Sequence, residues 1–268
     1  MSWFLRREAH QVGRSVSDRR NPRRARFCCA LGLLGLFFLA PGGVLFAQEE
    51  HSALDPKPLD IHVQVNGSGR VSSADIAAVL KSAAFEIWRY CLHTKLEGID
   101  VYYRPDQPQT DFKRTSSGRI GIGLSARDTH WAQYGFQFAH EFCHALANYS
   151  GNPQKLVRYS QQANLWLEES LCETASLFTL KAMSRSWRDR SSLSGLAELR
   201  DRNTIIARQL LPFFESQPRV WEAVMFLNHG SHDPKESLAQ RFSKWRSQCP
   251  KELRPLVTRL ATVFAVSL

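Results

Sequence analysis

Acidic residues are nearly missing from the start of this chain. Glu8 and Asp18 stand against Arg6, Arg7, Arg14, Arg19, Arg20, Arg23, Arg24 and Arg26 in the first 47 residues. Also missing is any unbroken apolar run of the roughly 20 residues that a spanning helix needs. The stretch that comes nearest, 27–40, is interrupted by Pro41-Gly42-Gly43. No internal repeat and no long linker occurs, which excludes solenoids and arrays. With 43% hydrophobic and 11% aromatic residues, the chain is neither wholly disordered nor collagenous.

A basic start, a short apolar run, a helix breaker and Ala47 before a polar stretch together read as a secretory signal. Cleavage is expected after Ala47, although Leu45 fits the minus-three position imperfectly. Residues 1–47 are therefore a signal peptide, and the protein is exported, periplasmic or secreted; an uncleaved N-terminal anchor is the alternative. Eight of the 35 basic and two of the 25 acidic residues lie in that segment, leaving 27 against 23 in the remainder. The formal charge of +10 is thus mainly an export signal, and no nucleic-acid partner is expected. No membrane contact is expected after cleavage. Cys91, Cys143, Cys172 and Cys249 remain, enough for two disulfides in any of three pairings. Asn66-Gly67-Ser68 and Asn148-Tyr149-Ser150 match glycosylation sequons, relevant only if the source glycosylates exported proteins.

The remainder, 48–268, reads as one α+β domain with an α/β part over 48–130 and a helical part over 131–268. Alternating Ile61, Val63 and Val65 predict a half-buried strand over 59–65. Ser72 or Ser73 caps a helix to about residue 92, with Ile76, Val79, Leu80, Ala83 and Ile87 on one face. A second strand over 99–103 stops at Pro105, a polar loop covers 107–117, and a third strand covers 118–124. Helices then follow, broken at 150–153, 191–195 and 229–234. Trp221, Phe226, Trp245 and Phe264 in the last part are expected to supply core.

The Gly-Arg-Ile-Gly-Ile-Gly-Leu strand at 118–124 lacks the spacing and the following helix of a dinucleotide-binding turn. Its alternating glycines leave backbone accessible on one side. Such a strand could accept an extended peptide by strand addition, or be an ordinary edge strand with few side chains to pack.

The chemistry is concentrated in two helices. His140-Glu141-Phe142-Cys143-His144 is an H-E-x-x-H pattern inside a helix predicted over 131–149. Residues four apart share a helix face, so two imidazoles can bind one zinc ion. Glu141, turned about 100° from His140, reaches a water beside the metal and can act as general base and acid.

A third ligand is needed. A metzincin would carry Gly at 147 and His at 150, where this chain has Ala147 and Ser150. Downstream, on a helix predicted over 161–183, lies Trp166-Leu167-Glu168-Glu169-Ser170-Leu171-Cys172-Glu173. Here the chain resembles the gluzincin metallopeptidases, the group of thermolysin and the membrane alanyl aminopeptidases, whose second motif often reads Trp-Leu-x-Glu-Gly. The resemblance covers about residues 118–180. It implies a zincin-like core in which His140, His144 and Glu169 bind Zn2+. It also implies that Glu173, one turn on, anchors the other ring nitrogen of a ligand histidine, as a bound imidazole needs. Ser170 departs from the usual Gly, and the gap between the two motifs is longer than in either relative. Glu168, about 100° from the Glu169–Glu173 face, reads as a solvated or dipole-facing carboxylate. Cys143 and Cys172 read as small buried apolar residues, although a thiol pair or disulfide near the metal is open.

A donor for the oxyanion of a tetrahedral intermediate is also required. Tyr149, Tyr159, His229 and His232 are candidates, with Tyr159 favoured for its place in the connecting loop. The expected function is an exported zinc metallopeptidase of minimal gluzincin type, with peptide or protein substrate laid along 118–124. The second reading is a non-catalytic, zinc-stabilised envelope or binding protein. Basic clusters at 185–190 and 200–202 read as solvated helix faces.

Overall fold

The computed structural model describes residues 58–64, 67–92, 96–111, 118–148, 164–186, 202–227 and 235–268. The signal-like segment 1–47, Tyr149, Tyr159, His229, His232 and the three expected helix breaks lie outside these residues.

Four strands, β1 (Asp60–Gln64), β2 (Gly98–Tyr103), β3 (Gln109–Asp111) and β4 (Ile120–Leu124), form one mixed sheet. Their order is β1-β2-β4-β3. β1 runs parallel to β2 and β2 to β4, while β3 is antiparallel to β4. Helix α1 (Ser73–Trp88) connects β1 to β2. It begins where expected, because the Ser72 side chain accepts a hydrogen bond from the Asp75 amide and so satisfies one of the free amides of the first turn. Its buried face carries Ile76, Leu80, Ala83, Ala84, Ile87 and Trp88. Arg119, just before β4, ties the parallel strands together. It donates to Asp60 at 2.6 Å, to Asp100 at 2.7 Å and to the Ile99 carbonyl at 2.8 Å.

The sheet corrects two expectations. The polar stretch 107–117 contains β3, a strand too short and too polar to show a period of two. The 118–124 strand is interior, because Gly121, Ile122 and Gly123 pair with β2 on one side and with β3 on the other. Its backbone is therefore already bonded and cannot accept a peptide by strand addition. The glycines answer to crowding instead. A Cβ on Gly121 would lie 3.1 Å from an Asp111 carboxylate oxygen, and one on Gly123 would lie 3.1 Å from both Arg104 and Tyr102 side-chain atoms. Among the described strands, β3 takes the edge beside β4 and β1 takes the other edge.

The helical part comprises α2 (Trp131–Ala147), α3 (Leu165–Ser186), α4 (Arg202–Ser216), α5 (Val220–Val224), α6 (Leu238–Gln248) and α7 (Arg254–Val263). Helix α2 packs against α1, α3 and the β3–β4 side of the sheet. Gln137 fixes its height, accepting from the Ser125 and Ala126 amides at the end of β4 at 3.1 and 3.0 Å. Phe142 stacks on Phe138 at 5.6 Å and meets Trp88 of α1 at 6.0 Å. Ser176 donates to the Phe136 carbonyl at 2.8 Å, joining α3 to α2. The resulting α+β architecture agrees with the sequence reading. So does the core role of the C-terminal aromatics: Trp221 and Trp245 are fully buried, and Phe226 and Phe264 pack against the same core. Among the described residues, no helix is long and apolar enough to cross a membrane.

Candidate metal centre

Two helices meet at one cluster of titratable side chains. His140 and His144 lie one turn apart on α2, and their Nε2 atoms are 3.2 Å apart. Glu169, in the first turns of α3, faces both. Its Oε2 lies 3.3 Å from His140 Nε2, and its Oε1 lies 3.7 Å from His144 Nε2. Three donor groups therefore converge on one point. Side-chain exposure falls from 26% for Glu169 through 17% for His140 to 6% for His144, so Glu169 is the most exposed of the three. Cys172 is fully buried, and its Sγ lies within 4.8 Å of a ring nitrogen of each histidine. The group His140, His144 and Cys172 could hold a metal ion.

Glu168 requires a correction. It is fully buried, and its Oε1 lies 2.6 Å from His144 Nδ1 and accepts from Asn148 Nδ2 at 2.9 Å. A carboxylate on Nδ1 directs the imidazole's Nε2 lone pair outward, which is the orientation a metal ligand needs. The anchoring that the resemblance assigned to Glu173 is thus performed for His144 by Glu168. Glu173 is also buried, and its charge raises the pKa of His140. Asn148 donates a second bond to the His144 carbonyl at 2.9 Å, so its amide nitrogen is committed within the fold. A glycan at this sequon would replace one of the two amide protons and so cost at least one of these bonds. Ser170, which stands where the resemblance has Gly, is buried and returns its hydroxyl to the Trp166 carbonyl at 2.7 Å.

Glu141, the expected general base, is buried beside the histidines and meets a residue that the sequence reading missed. Thr110, in the middle of β3, places its hydroxyl 2.9 Å from Glu141 Oε2 and 2.7 Å from the Glu141 carbonyl oxygen. Cys143 and Cys172 are both fully buried free thiols, as expected of small apolar packing residues. They also contact one another: burial, then the bond to Cys143, pushes the Cys172 thiol well up.

The charges explain how the cluster behaves without metal. Burial alone would lower the His144 pKa, but Glu168 and Glu169 outweigh it and push it up to about 10. Burial likewise opposes, and Glu169 reverses, the shift of His140, which ends above its ordinary value. Glu169, raised by burial but held by His144 and His140, falls to about 2. For His144 the folded value exceeds the ordinary 6.5, so its stabilisation is complete below pH 6.5 and disappears as pH rises towards 10. For Glu169 the folded value lies below 4.5, so its stabilisation is complete above pH 4.5 and disappears as pH falls towards 2. The metal-free protein is therefore expected to be best stabilised by these groups between pH 4.5 and 6.5. A metal ion bound by His144 at pH 7 would have to displace its proton. Titration calorimetry of the metal-free protein with a divalent metal ion, run in two buffers of different ionisation enthalpy, should show at least one proton released per ion bound. Uptake without proton release would overturn this assignment.

A comparison with protein-family models gives no match, and comparisons with curated proteins and with solved structures give none either. The chemistry of the cluster therefore rests on its own geometry.

Proposed function

We propose that the chain is an exported zinc metallopeptidase that hydrolyses peptide bonds with Glu141 as general base and acid. The observation that carries this reading is the convergence of His140 Nε2, His144 Nε2 and the Glu169 carboxylate at 3.2–3.7 Å. Tetrahedral zinc with bonds of about 2.0–2.1 Å holds its nitrogen and oxygen ligands about 3.3 Å apart. Two imidazoles and one carboxylate form a donor set that suits catalytic zinc, which keeps its fourth position for water. When bound, the ion would polarise a carbonyl and make a water acidic enough to lose its proton near neutral pH.

The chain's own residues have the remaining tasks. Glu141 would take the proton of the attacking water and return it to the leaving amine. Glu168 would hold His144, and the charge of Glu173 would act on His140. A peptide substrate would run along the edge at β3, since β4 is paired on both sides. Tyr159 remains the favoured oxyanion donor from the sequence.

Metal analysis followed by assay is the direct test. The purified protein should contain about one zinc per chain and cleave casein or a quenched peptide library. Chelation should abolish cleavage and zinc should restore it. Zinc-loaded protein that cuts nothing in the library would sink the peptidase reading. Cys172 beside the histidines favours a second reading, in which sulfur closes the site and zinc only stabilises the fold. Cobalt substitution separates the two, because a thiolate ligand adds a near-ultraviolet charge-transfer absorption that an imidazole–carboxylate set lacks.

A further inference from the structure

Thr110 is a polar residue at a position built for an apolar one. It pairs with Ile122 of β4, is 2% exposed, and faces α2 at the edge of the sheet. A buried hydroxyl without a partner is costly, so its bonds should account for its presence. Both of its hydrogen-bond partners among the described residues belong to one residue: the carbonyl oxygen of Glu141 at 2.7 Å and its Oε2 at 2.9 Å. The carbonyl contact fixes the backbone of α2 against β3, and the carboxylate contact selects one orientation of the Glu141 side chain.

We propose that Thr110 is a positioning residue that holds the Glu141 carboxylate beside the two histidines and sets its distance from the edge strand. This rests on the peptidase reading. A hydroxyl has one proton and two acceptor lone pairs, which suits the task. It can donate to Oε2 while Glu141 is a carboxylate. After Glu141 has taken a proton from the attacking water on its other oxygen, Oε1, the hydroxyl can keep its bond to Oε2 or turn its own proton to the Glu141 carbonyl. No proton is gained or lost by Thr110, and the carboxylate need not move between the two halves of the reaction. Serine preserves this device. Valine has the same shape without it.

The test compares wild type, T110V, T110S and E141Q, each zinc-loaded, on one quenched peptide that wild type cleaves. T110V should lose about 10- to 100-fold in kcat, the scale at which misplacing a reacting group costs rate. Its KM and zinc content should match wild type. T110S should stay within about threefold of wild type in every constant. In crystals of T110V the Glu141 side chain should leave its wild-type rotamer while His140, His144 and Glu169 stay in place. Wild-type kcat in T110V, or equal losses in T110V and T110S with raised KM and lowered melting temperature, would overturn the positioning role and leave the peptidase reading standing. If wild type cuts no peptide, the peptidase reading fails and takes this role with it.

Discussion

Replacing Glu141 with Gln is expected to lower peptide hydrolysis by about 10²- to 10⁴-fold, the contribution of a well-placed general base. At 1.36 kcal/mol per factor of ten, that is about 3–5 kcal/mol of barrier. Zinc stoichiometry at saturating metal should not change, because none of the three convergent ligand groups is touched. The substitution preserves the shape of the side chain and its ability to accept from Thr110, and it removes the carboxylate that takes the proton. Zinc affinity should fall modestly, because Glu141 is one of several negative charges that act on His140 and His144. The decisive comparison is kcat against bound zinc, measured on the same preparation. A variant that keeps both its metal and its rate would remove Glu141 from the chemistry. One that loses both would leave Glu141 as a determinant of the metal site.

Helical periodicity made the converging residues legible. His140 and His144 are four apart on α2, and the first turns of α3 carry Glu169 and Glu173 on one face, so sequence spacing alone aligned them. The burial of Glu168 is not written in its own helix. Turned about 100° from Glu169, this residue has no reason to be buried until α3 is packed against the end of α2. There Asn148 and His144 take its oxygen. Arg241 of α6 adds a positive charge from a remote part of the chain: burial lowers its pKa, and Glu236 and Glu168 raise it. No local pattern encodes that encounter.

The sheet shows the same division. β1, β2 and β4 carry apolar alternation, and all three were found. β3 is three residues long with one buried side chain, so nothing periodic marks it. Its pairing decides whether β4 is an edge, and its Thr110 is the residue that meets Glu141. Pairing partners are a tertiary property, which is why both the interior place of β4 and the Thr110 contact escaped a residue-by-residue reading.

The largest effect on stability is expected at Trp221 in α5. It is fully buried and joins otherwise separate elements. Its ring lies 4.2 Å from that of Phe214 on α4 and 5.5 Å from that of Phe178 on α3. Phe178 in turn meets Tyr90 beyond the end of α1 at 6.5 Å. Truncation to alanine removes this hub and leaves a cavity between helices, which costs about 3–5 kcal/mol in cores of this kind. That corresponds to a fall in melting temperature on the order of 10 °C for a domain of this size. The indole also carries a penalty: its Nε1–H is buried without a hydrogen-bond partner among the described residues. Phenylalanine would keep most of the ring contact and delete that unsatisfied donor, so W221F should lose much less stability than W221A. Urea unfolding of the zinc-saturated proteins measures both, at fixed free zinc so that metal linkage does not differ between them. Equal losses in the two variants would mean that the six-membered ring contributes little, and that the contacts to Phe178 and Phe214 do not hold α3, α4 and α5 together.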